Sequence, residues 1–164
     1  MQRTGRPNRR LRIASLILLV SIIVLSLTTM PSESPTAVNA ILDGAQIDPS
    51  VRAILERSCQ DCHSEATYYP WYSYVAPVSF LIRSDVIRGR EHLNLSRWSE
   101  YSLARKERSL SEIANQVKDR DMPLPQYTLI HRNARLSDAD VDAVFKWTQA
   151  ERSRLIVENA HGAH

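Results

Sequence analysis

The apolar and polar residues of the chain divide it into one continuous apolar run and later segments in which apolar residues recur with helical period. The run covers residues 13–30 and contains no charged side chain, and its length is near the lower limit for a helix that spans a bilayer. Beyond it, apolar residues return every three or four positions, which predicts amphipathic helices. The pattern therefore predicts an all-α domain that follows a single apolar helix.

The first and last amphipathic segments carry helix start signals. Asp48 and Pro49 are favoured residues for the N-cap and the first helical position, so a helix is predicted from here to Cys59. Ser137 and Asp140 have the spacing of a capping box ahead of another apolar-periodic segment. We expect the helix that begins there to pack against the first one.

Two more helices are predicted between these segments. One covers residues 78–88 and is ended by Gly89, a residue type that commonly follows a helix. The other begins at Ser109 or Ser111, which are both suitable N-caps. We expect it to stop before Met122, which a proline follows.

Length and composition are those of one globular domain with terminal extensions. Hydrophobic residues make up 43% and charged residues 24% of the 164 residues, which is ordinary for such a domain. A segment rich in Pro, Ser and Thr after the apolar run is typical of a linker. The predicted divisions are a cytoplasmic basic segment at 1–12, a transmembrane helix or signal-peptide core at 13–30, a linker at 31–46, the helical domain at 47–157 and a disordered tail at 158–164.

The basic residues cluster ahead of the apolar run. Five of the 21 Lys and Arg residues lie within the first twelve positions, before the first acidic residue, Glu33. Without these five, 16 basic residues face 18 acidic ones, so charge gives no support for nucleic-acid binding. By the positive-inside rule the cluster stays in the cytoplasm, which places the helical domain on the periplasmic side of a bacterial cytoplasmic membrane.

Two fates of the apolar run remain open. The run is longer than the usual signal-peptide core of about 7 to 15 residues, and we therefore favour an uncleaved anchor. Residues 38–40, Val-Asn-Ala, resemble a signal-peptidase site, and cleavage there would secrete the domain into the periplasm. Both fates give the same compartment.

The strongest chemical signal is the sequence Cys59-Gln60-Asp61-Cys62-His63. A Cys-x-x-Cys-His run is the attachment signature of c-type haem. Two thiols add across the two vinyl groups of one porphyrin, and the adjacent imidazole reaches the iron from the same face. The sequence predicts one haem c, bound covalently through Cys59 and Cys62 with His63 as an iron ligand.

Three other uses of this cysteine pair agree less well with the sequence. A structural zinc site needs four protein ligands, usually with a second Cys or His pair at short spacing, and no such pair occurs outside the C-terminal tail. A thioredoxin-like redox pair is expected beside a βαβ pattern, whereas the flanking sequence here is helical. A disulfide closing so short a loop would restrict the unfolded chain little.

An aromatic and proline-rich block covers residues 67–79 and contains four of the six tyrosines. Its rings are large, rigid apolar surfaces suited to forming a wall beside a haem, although filling the core is an equally good interpretation of any single ring. A proline carbonyl, for example that of Pro70, is a candidate acceptor for the second ring nitrogen of His63.

Met122 is the predicted second iron ligand. A c-type haem with histidine on one side commonly takes methionine on the other, and the prolines that follow Met122 stiffen its loop. Filling a gap in the core is the alternative role of this side chain. His131 is the main rival ligand, followed by His92, while the two remaining histidines lie in the polar tail, at His161 and His164.

Over about residues 48 to 150 the chain resembles the bacterial haem-binding domain family, a branch of the cytochrome c superfamily. The matching stretches are 58–64, 69–72, 75–79, Asp85-Val86, Gly89-Arg90, Leu93-Asn94, Trp98, Met122-Pro123, Tyr127, His131, 134–137 and Trp147. The resemblance implies a cytochrome c-like fold, with N- and C-terminal helices crossing beside one haem. It also implies His63 and Met122 as axial ligands.

These features together predict a membrane-anchored monohaem electron carrier rather than an enzyme, with no catalytic base or nucleophile. Its expected partners are redox proteins of the periplasm or membrane. The alternatives are a haem-based gas sensor or small peroxidase-like enzyme with a labile sixth ligand, and a tethered scaffold domain whose haem is mainly structural.

Overall fold

The computed structural model describes residues 9–28 and 41–162, and the described residues form helices and connecting turns with no β-strand among them. The predicted all-α class is therefore confirmed. The α-helices are α1 (Arg9–Thr28), α2 (Pro49–Ser58), α3 (Gln60–His63), α4 (Val78–His92), α5 (Leu103–Lys118), α6 (Pro125–Ile130) and α7 (Asp138–Gly162). Three 3-10 helices lie between them, at Trp71–Tyr74, Leu95–Glu100 and Arg132–Ala134.

The described residues fall into two compact units. The first contains α1 together with residues 68–87. The second contains residues 41–67 and 88–162 and holds the main hydrophobic core.

Helix α1 is long and apolar enough to cross a membrane, by length and composition. It begins at Arg9 and ends at Thr28, so it starts four residues earlier than the apolar run, because helical hydrogen bonding continues through the arginines. Residues 1–8, 29–40, 163 and 164 lie outside the described part of the chain, and with them most of the predicted basic segment and linker, the candidate cleavage site and His164.

The core of the second unit is built mainly from one face each of α2, α5 and α7. Helix α7 packs against both α2 and α5, which confirms the predicted pairing of the first and last amphipathic helices and adds α5 as a larger partner. Ile41 and Leu42 are buried in this core. The end of the predicted 31–46 linker therefore belongs to the packed domain, since two large apolar side chains there find a place in the core.

The predicted start signals of α2 and α7 are confirmed. Helix α2 begins at Pro49, although the Asp48 side chain makes no capping hydrogen bond. At α7 the capping box is complete, because the Ser137 backbone N–H donates to Asp140 Oδ2 at 2.8 Å and the Asp140 N–H donates to Ser137 Oγ at 3.1 Å. The predicted disorder from residue 158 is wrong, since α7 continues to Gly162.

Two other predicted boundaries are wrong. Helix α4 passes through Gly89 and ends at His92, because this glycine is used for close packing rather than as a terminator. Helix α5 begins after Ser102, whose Oγ accepts a 3.4 Å hydrogen bond from the Arg105 N–H. Ser109, proposed as an N-cap, is instead buried inside α5.

Candidate functional site

The Cys-x-x-Cys-His sequence occupies a single tight turn at the end of α2. Cys59 is both the C-cap of α2 and the N-cap of α3. Its carbonyl accepts hydrogen bonds from the N–H groups of Cys62, at 3.2 Å, and His63, at 3.0 Å. The backbone hydrogen bonds therefore place Cys59, Cys62 and His63 on one tight turn.

The His63 ring is fixed by a backbone acceptor. Its Nδ1 lies 3.1 Å from the carbonyl oxygen of Leu93, and since a carbonyl can only accept, Nδ1 carries the proton. Burial lowers the pKa of His63 against the opposing effect of the Leu93 and Gly89 carbonyls, so the ring is neutral at pH 7. Nε2 is then left with a lone pair, the state required of a metal ligand.

This geometry corrects the predicted role of Pro70, because the acceptor is Leu93. The peptide group that joins Leu93 to Asn94 is held at both ends: its carbonyl faces His63, and its N–H donates to the Tyr101 hydroxyl at 2.8 Å. A peptide that donates on one side is a better acceptor on the other. Tyr101 thus supports the hydrogen bond that orients His63.

Gly89 lets α4 approach the backbone of the turn. A Cβ built at this position would lie 2.5 Å from the Cys62 carbonyl oxygen and 3.1 Å from its carbon. Both are main-chain atoms and cannot rotate away, so any side chain here would push Cys62 or α4 out of place. Only glycine fits between the last turn of α4 and the second cysteine.

The electrostatics of Cys59 argue against a reactive redox thiol. Burial, with help from the neighbouring Cys62, raises the pKa of the Cys59 thiol to about 12, although Arg57 acts in the opposite direction. Reactive redox cysteines require a lowered thiol pKa. Cys59 and Cys62 are not joined as a disulfide, and among the described residues no group of three or more His, Cys, Asp and Glu side chains is placed to hold a metal ion.

The loop that follows His63 is braced by the end of α4. Arg90 donates from Nε to the Ser64 carbonyl at 2.8 Å and from Nη2 to Thr67 Oγ1 at 2.9 Å. Thr67 Oγ1 in turn donates to the Asp61 carbonyl at 2.6 Å. The chain on either side of His63 is therefore tied to one guanidinium group.

A second brace runs from this loop to the 3-10 helix at Leu95–Glu100. The Glu65 N–H donates to Ser96 Oγ at 3.0 Å, and its carboxylate pairs with Arg97 Nε at 2.7 Å. The hydrogen bond from Arg97 holds the pKa of Glu65 below its ordinary value. Since Arg97 follows the Leu93 acceptor closely in sequence, this pair also steadies the segment that orients His63.

Met122 lies in the turn between α5 and α6 and is partly buried. Its backbone N–H donates to the Gln116 carbonyl at 3.2 Å, and the Asp121 N–H donates to the same oxygen at 3.0 Å. These bonds fix the main chain of the turn. The assignment of the Met122 thioether as an iron ligand stays a prediction.

Helix α6, just after Met122, is joined to the Cys-x-x-Cys-His turn. The Tyr127 hydroxyl donates to Asp61 Oδ2 at 2.7 Å, and the Tyr127 ring stacks on His131 with centroids 4.3 Å apart. Asp61 is one of the two variable residues of the turn. The segment predicted to carry the sixth iron ligand is thus linked directly to the segment predicted to carry the fifth.

These residues fit a c-type haem. Cys59 and Cys62 lie within one turn and are not joined as a disulfide, and the adjacent His63 has the tautomer that leaves a lone pair on Nε2. Leu129 and Ile130 of α6 expose apolar side chains in the same unit, at 70% and 60%. Apolar surface beside the predicted ligand loop is the kind of lining that a porphyrin buries.

The predicted aromatic wall lies in the first unit. Its residues form the 3-10 helix Trp71–Tyr74 and the start of α4, and several of its rings are exposed. Whether these rings line a haem stays a prediction.

Sequence reasoning missed the supporting residues of the site. Gly89, Arg90 and Tyr127 were included in the family resemblance, but without a role, and Tyr101 and the Leu93 carbonyl were not singled out for the site. The available signals were a glycine inside a helical pattern, which suggests close packing, and a variable position of the motif filled by an acid, Asp61.

Comparison with known proteins supports haem binding. A family model described as a haem-binding domain matches residues 17–150. The chain is also 25% identical over 107 residues to cytochrome c peroxidase Ccp of Escherichia coli (strain K12). That match covers 63% of this chain but 23% of the relative, so the chain spans about a quarter of the relative's length. No solved structure matches the chain.

Proposed function

Because this chain belongs to the haem-binding domain family, we propose that it is a membrane-anchored c-type monohaem protein that transfers electrons. The thiols of Cys59 and Cys62 would hold the haem through two thioether bonds. In each addition a carbon–sulfur bond would form at one vinyl carbon and the thiol hydrogen would pass to the other, so no oxidant would be needed.

The observation that carries the proposal is the 3.1 Å contact between His63 Nδ1 and the Leu93 carbonyl. It leaves Nε2 unprotonated, on a ring adjacent in sequence to the second attachment thiol. A bound haem supplies reversible one-electron chemistry at its iron. The protein supplies the orientation of His63, through Leu93 and Tyr101, and a second ligand, Met122.

A carrier with both axial positions filled needs no protein acid, base or nucleophile. The Met122 thioether is a soft ligand of the kind that raises the potential of a haem. The turn that carries Met122 is fixed by two hydrogen bonds to Gln116 and, through Tyr127, by Asp61. Such a restrained ligand loop suits a role in which the coordination stays the same in both oxidation states.

The proposed location is the bacterial cytoplasmic membrane, with the haem domain on the periplasmic side. Helix α1 has the length and apolar composition of a membrane span, and the arginines at its start favour a cytoplasmic N-terminus. The redox partners are then proteins of the periplasm or of the membrane itself.

The similarity to cytochrome c peroxidase favours a second candidate, a small peroxidase-like enzyme or gas sensor. In that case Met122 is absent from the iron or easily displaced, and a small molecule takes its place. The side chain of Met122 is only partly buried, which leaves it room to move. The two candidates differ in whether the sixth ligand stays bound.

Optical spectroscopy of the haem-loaded protein separates them. For the carrier we expect a far-red charge-transfer band from methionine to ferric iron, and no carbon monoxide binding by the ferrous protein. The Met122→Ala variant should lose the band and bind carbon monoxide, while His131→Ala, its matched control, should keep the band. Rapid carbon monoxide binding by the wild type would overturn the carrier and favour the second candidate.

A further inference from the structure

Residues 71–81 of the first unit bury small side chains and expose large apolar ones. Two of the buried residues are polar, Ser73 at 2% and Ser79 at 1% exposure, and the third is Ala76 at 6%. The exposed residues are Trp71, Tyr74, Val75, Val78, Phe80 and Leu81. A water-facing segment would show the reverse pattern, so its outer face is built for contact with something less polar than water.

A hydrogen bond places this segment beside one end of α1. The Ala76 N–H donates to Ser26 Oγ at 3.1 Å, and Ser26 lies two residues before the end of α1 at Thr28. The part of α1 that follows the arginines, residues 13–28, corresponds to about 24 Å of helix, somewhat less than the thickness of the hydrocarbon core of a bilayer. If α1 spans with the arginines on the cytoplasmic side, Ser26 and Ala76 lie near the outer boundary between acyl chains and headgroups.

The exposed side chains have the chemistry of that level. Tryptophan and tyrosine concentrate at membrane interfaces because their rings are apolar and their N–H or O–H groups reach water. Trp71 is 78% and Tyr68 is 73% exposed. The aliphatic residues at the start of α4 can enter the boundary between headgroups and acyl chains, and the exposed Arg83 can reach lipid phosphates.

We propose that residues 68–81 form a membrane-interface surface, which lies against the outer lipid leaflet around the end of α1. The inference rests on the membrane anchoring in the proposed function. It adds that the anchor is not a simple tether, because a segment more than forty residues further along the chain shares the bilayer with it.

Fluorine NMR of the full-length, haem-loaded protein in bicelles tests this surface. The chain has three tryptophans, so 5-fluorotryptophan gives three signals, and a Trp71→Phe variant assigns one of them. Trp98 and Trp147 are buried, at 0% and 6% exposure, and serve as internal controls. The ferrous protein is used so that the iron does not broaden the signals when both axial positions are filled.

Two relaxation agents are compared, a lipid carrying a nitroxide on its headgroup and a water-soluble gadolinium chelate. We expect the lipid nitroxide to broaden the Trp71 signal several-fold more than the Trp98 and Trp147 signals. Broadening of Trp71 by the chelate alone would overturn the surface, since the ring would then face water. A Trp71 signal insensitive to both agents would also overturn it, because the ring would be covered by protein or haem.

Failure of the anchor gives a different result. If the chain separates from bicelles or vesicles in a flotation assay, both the anchoring and the interface surface are wrong. If it floats with the lipid while Trp71 responds only to the chelate, the anchor stands and the surface alone is wrong.

Discussion

His63 and Met122, the two proposed iron ligands, are held in different ways. The His63 side chain has a backbone acceptor at 3.1 Å, and the peptide group that provides it is itself fixed by Tyr101. For Met122 the described hydrogen bond is made by its backbone, to Gln116. The difference shows that one ligand is oriented through its ring and the other through the loop that carries it.

The contrast has a functional meaning. A ligand fixed at its side chain stays in place when the opposite ligand changes, whereas a ligand fixed only through its loop leaves when the loop moves. The contacts around His63 therefore suit both candidate functions, and those around Met122 decide between them. The largest changes in stability are expected from variants in the packing of the Cys-x-x-Cys-His turn and in the hydrogen bond that links this turn to α6. Smaller changes are expected from the hydrogen bond behind Leu93 and from the ion pair at the end of α2.

The largest effect is expected from Gly89→Ala. Alanine in a helix is ordinarily more stable than glycine by up to about 1 kcal/mol, but here its Cβ would collide with the Cys62 carbonyl. We expect the free energy of unfolding to fall by about 1 to 3 kcal/mol, with less haem attached. Denaturant unfolding of the haem-loaded protein measures the free energy, and a pyridine haemochrome spectrum measures the haem attached per chain.

The control for this variant is Arg88→Ala on the exposed neighbouring position of α4, which should change stability by less than about 0.5 kcal/mol. A Gly89→Ala protein that is more stable than the wild type would show that α4 does not press on the turn.

Tyr127→Phe removes the hydrogen bond that links α6, next to Met122, to the Cys-x-x-Cys-His turn. The hydroxyl bond to the Asp61 carboxylate is charge-assisted, and its loss should cost about 1 to 2 kcal/mol in unfolding free energy. Because α6 would no longer be held to the motif turn, cyanide should also displace Met122 from the ferric protein more readily. Stability and cyanide affinity are measured on the same samples.

A double-mutant cycle with Asp61→Ala identifies the cause of any change. The double variant should lose little beyond either single variant, because both remove the same bond. Fully additive losses would mean that the Tyr127 hydroxyl and the Asp61 carboxylate act independently, and that the bond between them does not hold α6 to the turn.

Tyr101→Phe makes a finer change on the His63 side. It removes the acceptor of the Asn94 N–H but keeps the ring over which Arg105 lies at 4.2 Å. The Leu93 carbonyl then becomes a weaker acceptor and His63 donates less electron density, so the reduction potential should rise. A difference of about 0.5 kcal/mol corresponds to about 20 mV. A reduction potential that falls or stays the same in a redox titration would show that Tyr101 does not strengthen the hydrogen bond between Leu93 and His63.

The smallest effect concerns pH and the end of α2. Arg57, two residues before Cys59, pairs with Asp140 at 2.7 Å. Burial opposes ionisation of Asp140, but hydrogen bonds from Ser137 and Arg57 outweigh it and hold its pKa below the ordinary value. This stabilisation is complete above the unfolded-state pKa of about 3.9 and is lost as pH falls through the folded-state pKa.

Asp140→Asn should therefore reduce stability at pH 7 by about 0.2 to 0.5 kcal/mol more than at pH 3, as measured by denaturant unfolding at both values. An equal loss of stability at the two pH values would mean that the charge of Asp140 does not stabilise the folded domain.

Local chemistry explains which parts of the fold and site could be predicted from the sequence. The start of α2, the capping box of Ser137 and Asp140, and the juxtaposition of Cys59, Cys62 and His63 depend on residues close in sequence. The predicted pairing of α2 with α7 followed from matching apolar faces. All of these features are present in the structure.

The errors arose where distant parts of the chain meet. Gly89 looked like a helix terminator, yet its role is set by the Cys62 carbonyl, which lies 27 positions earlier in the chain. The sequence suggests the Pro70 carbonyl as a candidate acceptor for His63, but the carbonyl that faces the ring belongs to Leu93. Ile41 resembled linker sequence because its burial depends on a core assembled from elsewhere.

The central claim is that one haem is bound covalently at Cys59 and Cys62. The most direct test is the mass of the denatured full-length chain after expression with haem-attachment machinery, together with a pyridine haemochrome spectrum. We expect the wild type to retain the mass of one haem after denaturation and the Cys59→Ala/Cys62→Ala variant to retain none. A wild-type chain that releases its haem on acid–acetone extraction would contradict the account.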